Sequence, residues 1–150
     1  MSAWFDRGMP EDFTARVIRE FRENDGRVGP PFEGASLVLI HHVGARSGTE
    51  RVTPLVYLPD GDDVVIVASA GAAPRHPAWF HNLMAHPRLT VEVSTPEGAR
   101  TREVEAEQIT GAERDLMYAR IVEVMPFFGE YEVRTAGIRR IPLVRLRPAA

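Results

Sequence analysis

Two rhythms of apolar and polar positions divide the chain. Across residues 10–24, Phe13, Val17, Ile18 and Phe21 recur at helical spacing. Glu11, Asp12, Arg16, Arg19, Glu20, Arg22 and Glu23 surround that stripe, which predicts an amphipathic helix. Residues 25–34 hold Gly26, Gly29, Pro30, Pro31 and Gly34 and read as a linker. The rhythm then shortens. Leu37, Val38, Leu39 and Ile40 form one buried run, and residues 52–58 form a second. Pro54 inside the second run restricts it to an edge, a bulge or a strand start. Residues 59–62 read as a hairpin turn into a strand over 63–69. A helix is predicted from Pro77 to about Ala85, stopping before Pro87. Residues 89–93 and 101–109 alternate around a turn at Pro96, Glu97 and Gly98. Thr110 and Glu113 have capping-box spacing and open a helix that Pro126 ends. A short aromatic piece (Phe127, Phe128, Tyr131) and a last strand over 141–146 complete the chain. Some six short strands, joined mostly by hairpins and interrupted by three helices, predict an antiparallel barrel with helices packed outside. Strand and helix do not alternate regularly enough for a doubly wound parallel sheet.

Composition narrows the chemistry. The 150 residues are 44% apolar and 26% charged, and the net charge of −3 gives no broad field for nucleic acid or an anionic membrane. Any anion site must be local. The absence of cysteine excludes disulfides, thiolate metal sites and thiol nucleophiles. All 18 basic residues are Arg, so no lysine Schiff base or lysine general base is possible. No apolar run approaches the ~20 residues of a membrane span, and no signal-peptide core is present, so a cytoplasmic protein without stable membrane insertion is expected. The first helix, with three bases against four acids, is better suited to packing on the domain or on a partner subunit than to anchoring in a membrane.

Two segments carry candidate chemistry. After Val64-Val65-Ile66-Val67-Ala68, the small residues Ser69, Ala70, Gly71, Ala72 and Ala73 lead to a helix start at Pro77, where backbone N–H groups can meet an anion. An ordinary strand-to-helix connection fits the same residues. Upstream, Gly44, Ala45, Arg46, Ser47, Gly48 and Arg51 form a glycine-containing turn with two guanidinium groups and a hydroxyl, suited to phosphate or carboxylate; a solvated hairpin turn is the alternative. Thr53, Pro54 and Leu55 break a strand ladder, which either frees backbone groups for a planar heterocycle or simply protects an edge. Trp79 and Asn82 share a helical face, as one wall of a ring pocket or as a core indole with a capping amide. His41 and His42 point to opposite strand faces, and His76, His81 and His86 are spaced by five, so no metal site is predicted. Met125, Phe127, Phe128 and Tyr131 form either a lid or ordinary core.

Taken in order, these segments resemble the deazaflavin-dependent nitroreductase family, which uses coenzyme F-420 on a split β-barrel. The likeness runs from about Leu37 to Pro148. It rests on Gly44-Ala45-Arg46-Ser47-Gly48, on Arg51 with Thr53-Pro54-Leu55-Val56-Tyr57, and on Pro59-Asp60-Gly61. Further on it includes residues 67–73, 76–83, His86-Pro87 and 140–144. The resemblance implies a mainly β (α+β), FMN-binding-like split barrel over residues 35–150, preceded by a helix and linker over 1–34. It implies an oxidoreductase passing a hydride from the reduced coenzyme to a quinone, an enone or a nitroaromatic. Ala45, Arg46, Ser47, Arg51, Val52, Thr53, Pro54, Leu55 and Val56 would hold its phosphate tail and ring. Val67, Ala68, Ser69 and Ala70, with Ala78, Trp79, Phe80, His81 and Asn82, would complete the cradle. Tyr131 would hydrogen-bond the substrate or help supply its proton, with Met125 and Phe128 beside it. The chain departs from the family pattern at Ala45 and Ala70, where basic residues are usual, and at Met125 and Phe128, where tyrosines are expected. FMN or haem on the same barrel, or a carrier that binds the coenzyme without turnover, are the alternatives; a homodimer is plausible because split barrels often pair through their sheets.

Overall fold

In the computed structural model, which describes residues 11–30 and 32–149, seven strands form one antiparallel sheet. They are β1 (Leu37–Val43), β2 (Glu50–Val56), β3 (Leu58–Asp60), β4 (Asp63–Val67), β5 (Arg88–Thr95), β6 (Gly98–Ile109) and β7 (Leu143–Pro148). The helices are α1 (Glu11–Glu23), α2 (Ala78–Ala85), α3 (Gly111–Val124) and α4 (Phe127–Thr135). The expectations placed on residues 1–10 and on Pro31 lie outside the described residues.

Sheet order is β2-β1-β5-β6-β7-β4-β3, so the outermost strands are β2 and β3. Only Tyr57 separates them in the chain. One residue spans about 3.5 Å, so the two edges must approach each other and the sheet must roll up. Tyr57 pins this corner, its N–H donating to Ser36 O at 3.1 Å and its hydroxyl to Ser94 O at 2.5 Å. The predicted antiparallel barrel with helices outside is what forms. Pro54 lies in the edge strand β2, opposite Leu39, as a residue without an N–H requires.

Two cores explain why some strands read as unbroken apolar runs. In β4, Val64 and Ile66 join the core that includes Leu37–Ile40, Val91, Val104, Trp79 and the α1 residues Val17 and Phe21. Val65 and Val67 face the other way, into a second core with Met117, Tyr118 and Ile121 of α3 and Phe128 and Tyr131 of α4. A strand covered on both faces has no polar side to show.

Six local expectations differ. The run 52–58 divides into β2 and β3, so the turn is confined to Gly61 and Asp62 while Pro59 and Asp60 belong to β3. The strand expected over 63–69 ends at Val67, and the last strand begins at Leu143 rather than Ile141; here Ala68 N–H reaches Pro142 O at 2.9 Å, outside the ladder. The aromatic piece is a full helix, α4. Thr110 does sit at the N-cap of α3, but without a side-chain capping bond, and the Glu113 carboxylate accepts from Arg145 at 3.2 Å instead.

Candidate functional site

The hairpin between β1 and β2 is drawn tight by its own backbone. Gly44 N–H donates to Thr49 O (2.9 Å) and Gly48 N–H to Gly44 O (3.0 Å). Thr49 N–H donates to Ser47 Oγ at 3.2 Å, so Ser47 turns its oxygen inward while its hydroxyl proton stays available. Gly48 sits at φ +71° and needs glycine, whereas a Cβ on Gly44 would press only on that same Oγ, the movable end of the Ser47 side chain. Arg46 and Arg51 are exposed and form no ion pair among the described residues.

The turn is fastened to α2 by one side chain. Ala45 N–H donates to Asn82 Oδ1 at 2.9 Å. A backbone N–H can only donate, which orients the carboxamide: Asn82 Nδ2 faces His42 and donates to Nδ1 at 2.9 Å. His42 Nδ1 therefore carries no proton, and Nε2–H donates to Thr53 Oγ1 at 2.7 Å. His42 is buried, with 4% of its surface exposed. Burial foremost, then the charges of Arg51 and His41, lowers its pKa from 6.5 to about 4, so the neutral ring this geometry requires is the stable form. Thr53 accepts from His42 and keeps its own hydroxyl proton for another partner.

His42, Gly44, Ala45, Arg46, Ser47, Arg51, Ala78, His81 and Asn82 line a groove of about 690 Å³. The structure thus brings together the two segments that sequence singled out. Val52 and Thr53 continue along β2 half-buried, and Pro54 and Leu55 are buried. Val56 reaches a second, apolar cavity of about 350 Å³, lined also by Phe32, Tyr57, Leu58, Met125 and Phe127. Val67, Ala68, Ser69 and Ala70 are buried where β4 ends. Trp79 and Phe80 lie in the first core beneath the groove rather than on its wall, although the indole N–H has no acceptor among the described residues. Phe128 and Tyr131 lie in the second core, Tyr131 packed on Phe127 and Phe128 at 5.8 Å between ring centroids. Sequence reasoning missed His42, weighed only as a metal ligand; it pairs with Arg51 across the hairpin, and Thr53 lies two residues further along β2 on the same face.

A larger cavity, about 850 Å³, lies elsewhere, between α3, α4 and the loop that follows. Its guanidinium groups are committed: Arg114 to Ile141 O and Glu132, Arg140 to Asp115. Although larger, it has fewer free donors for an anionic ligand than the hairpin groove.

Comparison with known proteins identifies the family. The family model of the F-420H(2)-dependent quinone reductases matches residues 14–148. An F-420H(2)-dependent quinone reductase of Mycobacterium tuberculosis is 33% identical over 152 residues, covering 97% of each chain. A solved F-420-H2 dependent reductase, FDR-A, superposes with a TM-score of 0.61 at 32% identity, over 74% of this chain and 93% of that one. Another solved chain, described as a domain-swapped dimer, gives a TM-score of 0.64 at 28% identity, over 92% and 99%. The chain belongs to the F-420H(2)-dependent quinone reductase family.

Proposed function

We propose that this chain binds reduced coenzyme F-420 in the hairpin groove and reduces a quinone-type substrate. The observation that carries the reading is the groove itself, which joins Arg46, Ser47 and Arg51 to Ala78, His81 and Asn82 along an edge strand whose outer backbone is unpaired. The residues suit the group. Two guanidinium forks without carboxylate partners match a phosphodiester with a glutamate tail. The Thr53 hydroxyl proton is a donor on β2 still lacking an acceptor.

When bound, the reduced deazaflavin supplies the hydride, and the protein supplies position and dryness. Arg46 and Arg51 hold the acidic tail, with the Ser47 hydroxyl between them. Ala45 offers no donor, since its N–H is spent on Asn82. Residues 52–56 and 67–70 border the ring, with Trp79 and Phe80 behind it. Met125 and Val56 border the apolar cavity on the substrate side, and Tyr131, from α4, orients a substrate oxygen or donates the proton that follows the hydride. A homodimer belongs to the same proposal, supported by the swapped dimer among its solved relatives.

The test is oxidation of the reduced coenzyme by menadione, followed optically. Turnover well above the uncatalysed rate, and lost in the Arg46→Ala, Arg51→Ala double variant, is expected. Binding without turnover would leave a carrier protein in its place.

A further inference from the structure

Where β4 leaves the barrel, three consecutive residues sit in the left-handed region: Ala70 at φ 49°, Gly71 at 61° and Ala72 at 65°. Glycine adopts that conformation freely, whereas an alanine Cβ is strained there. Internal bonds from Ala72 N–H to Ser69 O (2.9 Å) and from Ala73 N–H to Ala70 O (3.1 Å) close the turn. Two strained alanines on either side of one glycine persist only if the surroundings hold them.

Arg139, in the loop after α4, does the holding. Its Nε donates to Ala73 O at 2.9 Å and its Nη2 to Ser69 O at 2.6 Å. Its Nη1 reaches Ala68 O at 3.1 Å and His76 Nδ1 at 2.8 Å. One planar fork thereby ties the start of the turn to its end, a span that the single ammonium of lysine cannot reproduce. His76 must accept at Nδ1, and burial, then Arg139 and His81, hold its pKa below the usual histidine value, which keeps that acceptor available. Helix α4 also packs against the turn.

We propose that Arg139 is a positioning residue that holds the left-handed turn over residues 70–72 in the shape that receives the deazaflavin ring. The ring's place rests on the function proposed above; the clamp on the turn does not. Its length of reach, 71 residues from Ala68, explains why no local motif announces it.

Amide hydrogen exchange on the full chain without ligand tests the clamp directly. In Arg139→Met, exchange at Ala72 and Ala73 is expected to rise about tenfold more than at core strand amides such as Ile66 and Val91. Arg139→Lys, which keeps the charge but loses the fork, covers the case in which the methionine variant fails to fold, and shows the same local pattern to a smaller extent. Affinity for the oxidised coenzyme falls about tenfold in Arg139→Met, and by clearly less when Ala70→Gly and Ala72→Gly have already removed the strain. Exchange that rises equally everywhere, or a loss of affinity that glycine does not relieve, overturns the proposal by making Arg139 a merely structural residue. Wild-type protein that binds no coenzyme overturns the site reading and the ring's place with it, while the exchange pattern still decides whether Arg139 holds the turn.

Discussion

At the scale of single residues, the site separates charge from shape. Arg46 and Arg51 are exposed and supply charge; Asn82 and His42 are buried and fix the turn that presents it. Removing either guanidinium therefore removes a charge-assisted contact without disturbing the fold. Arg46→Ala and Arg51→Ala should each weaken coenzyme binding about tenfold, with the loss shrinking as salt is added; titration at two ionic strengths reads both. His42 makes a different prediction. Its pKa is about 4 when folded, whereas the unfolded chain takes up that proton near 6.5. The unfolded state binds more protons across this interval, so stability falls as pH drops from 6.5 toward 4 and is unaffected by this group above it. His42→Phe should remove that part of the slope, measured as the urea midpoint against pH. Arg46, Ser47, Arg51 and Asn82 stood out in the sequence because the first three lie in or next to one short hairpin turn and Asn82 lies in a short helix that prolines bound. His42 was not, since its partner Asn82 lies 40 residues away.

At the scale of elements, the barrel depends on corners where backbone and side chains meet closely. Gly98 opens β6 at φ +108°, and a Cβ there would run into the Asp25 carboxylate, which itself accepts Ala99 N–H at 2.9 Å. Gly98→Ala combines left-handed strain with a broken bond and should cost about 2–3 kcal/mol, read from the thermal midpoint. Helix α1 is bound by its apolar stripe, with Phe21 1% exposed in the first core, and its ion pair from Arg22 to Glu92 at 2.7 Å is half-exposed and so contributes little. Phe21→Ala should cost about 3–5 kcal/mol, and Arg22→Ala under about 1 kcal/mol. Periodicity revealed α1, and prolines at their ends bounded α2 and α3. It blurred β2 into β3 because apolar residues continue through Tyr57, and only the rolled sheet divides them.

At the scale of the whole molecule, hairpin turns made the antiparallel barrel class legible, but the pairings β1 with β5, β6 with β7 and β4 with β7, and the closing link at Tyr57, appear only in the structure. What one sequence could not show was which long-range contacts hold the groove: Asn82 to the hairpin and Arg139 to the turn after β4 become visible only once the sheet has curled. No helix among the described residues is long and apolar enough to cross a membrane. The account stands on a single groove gripping an acid-tailed deazaflavin. Titration of the protein with oxidised coenzyme F-420 and with FMN, followed by indole fluorescence, tests this most directly. The account predicts saturable binding of the deazaflavin at micromolar concentration, lost in the Arg46→Ala, Arg51→Ala pair, with FMN far weaker. Tighter binding of FMN, or deazaflavin binding indifferent to both arginines, would contradict it.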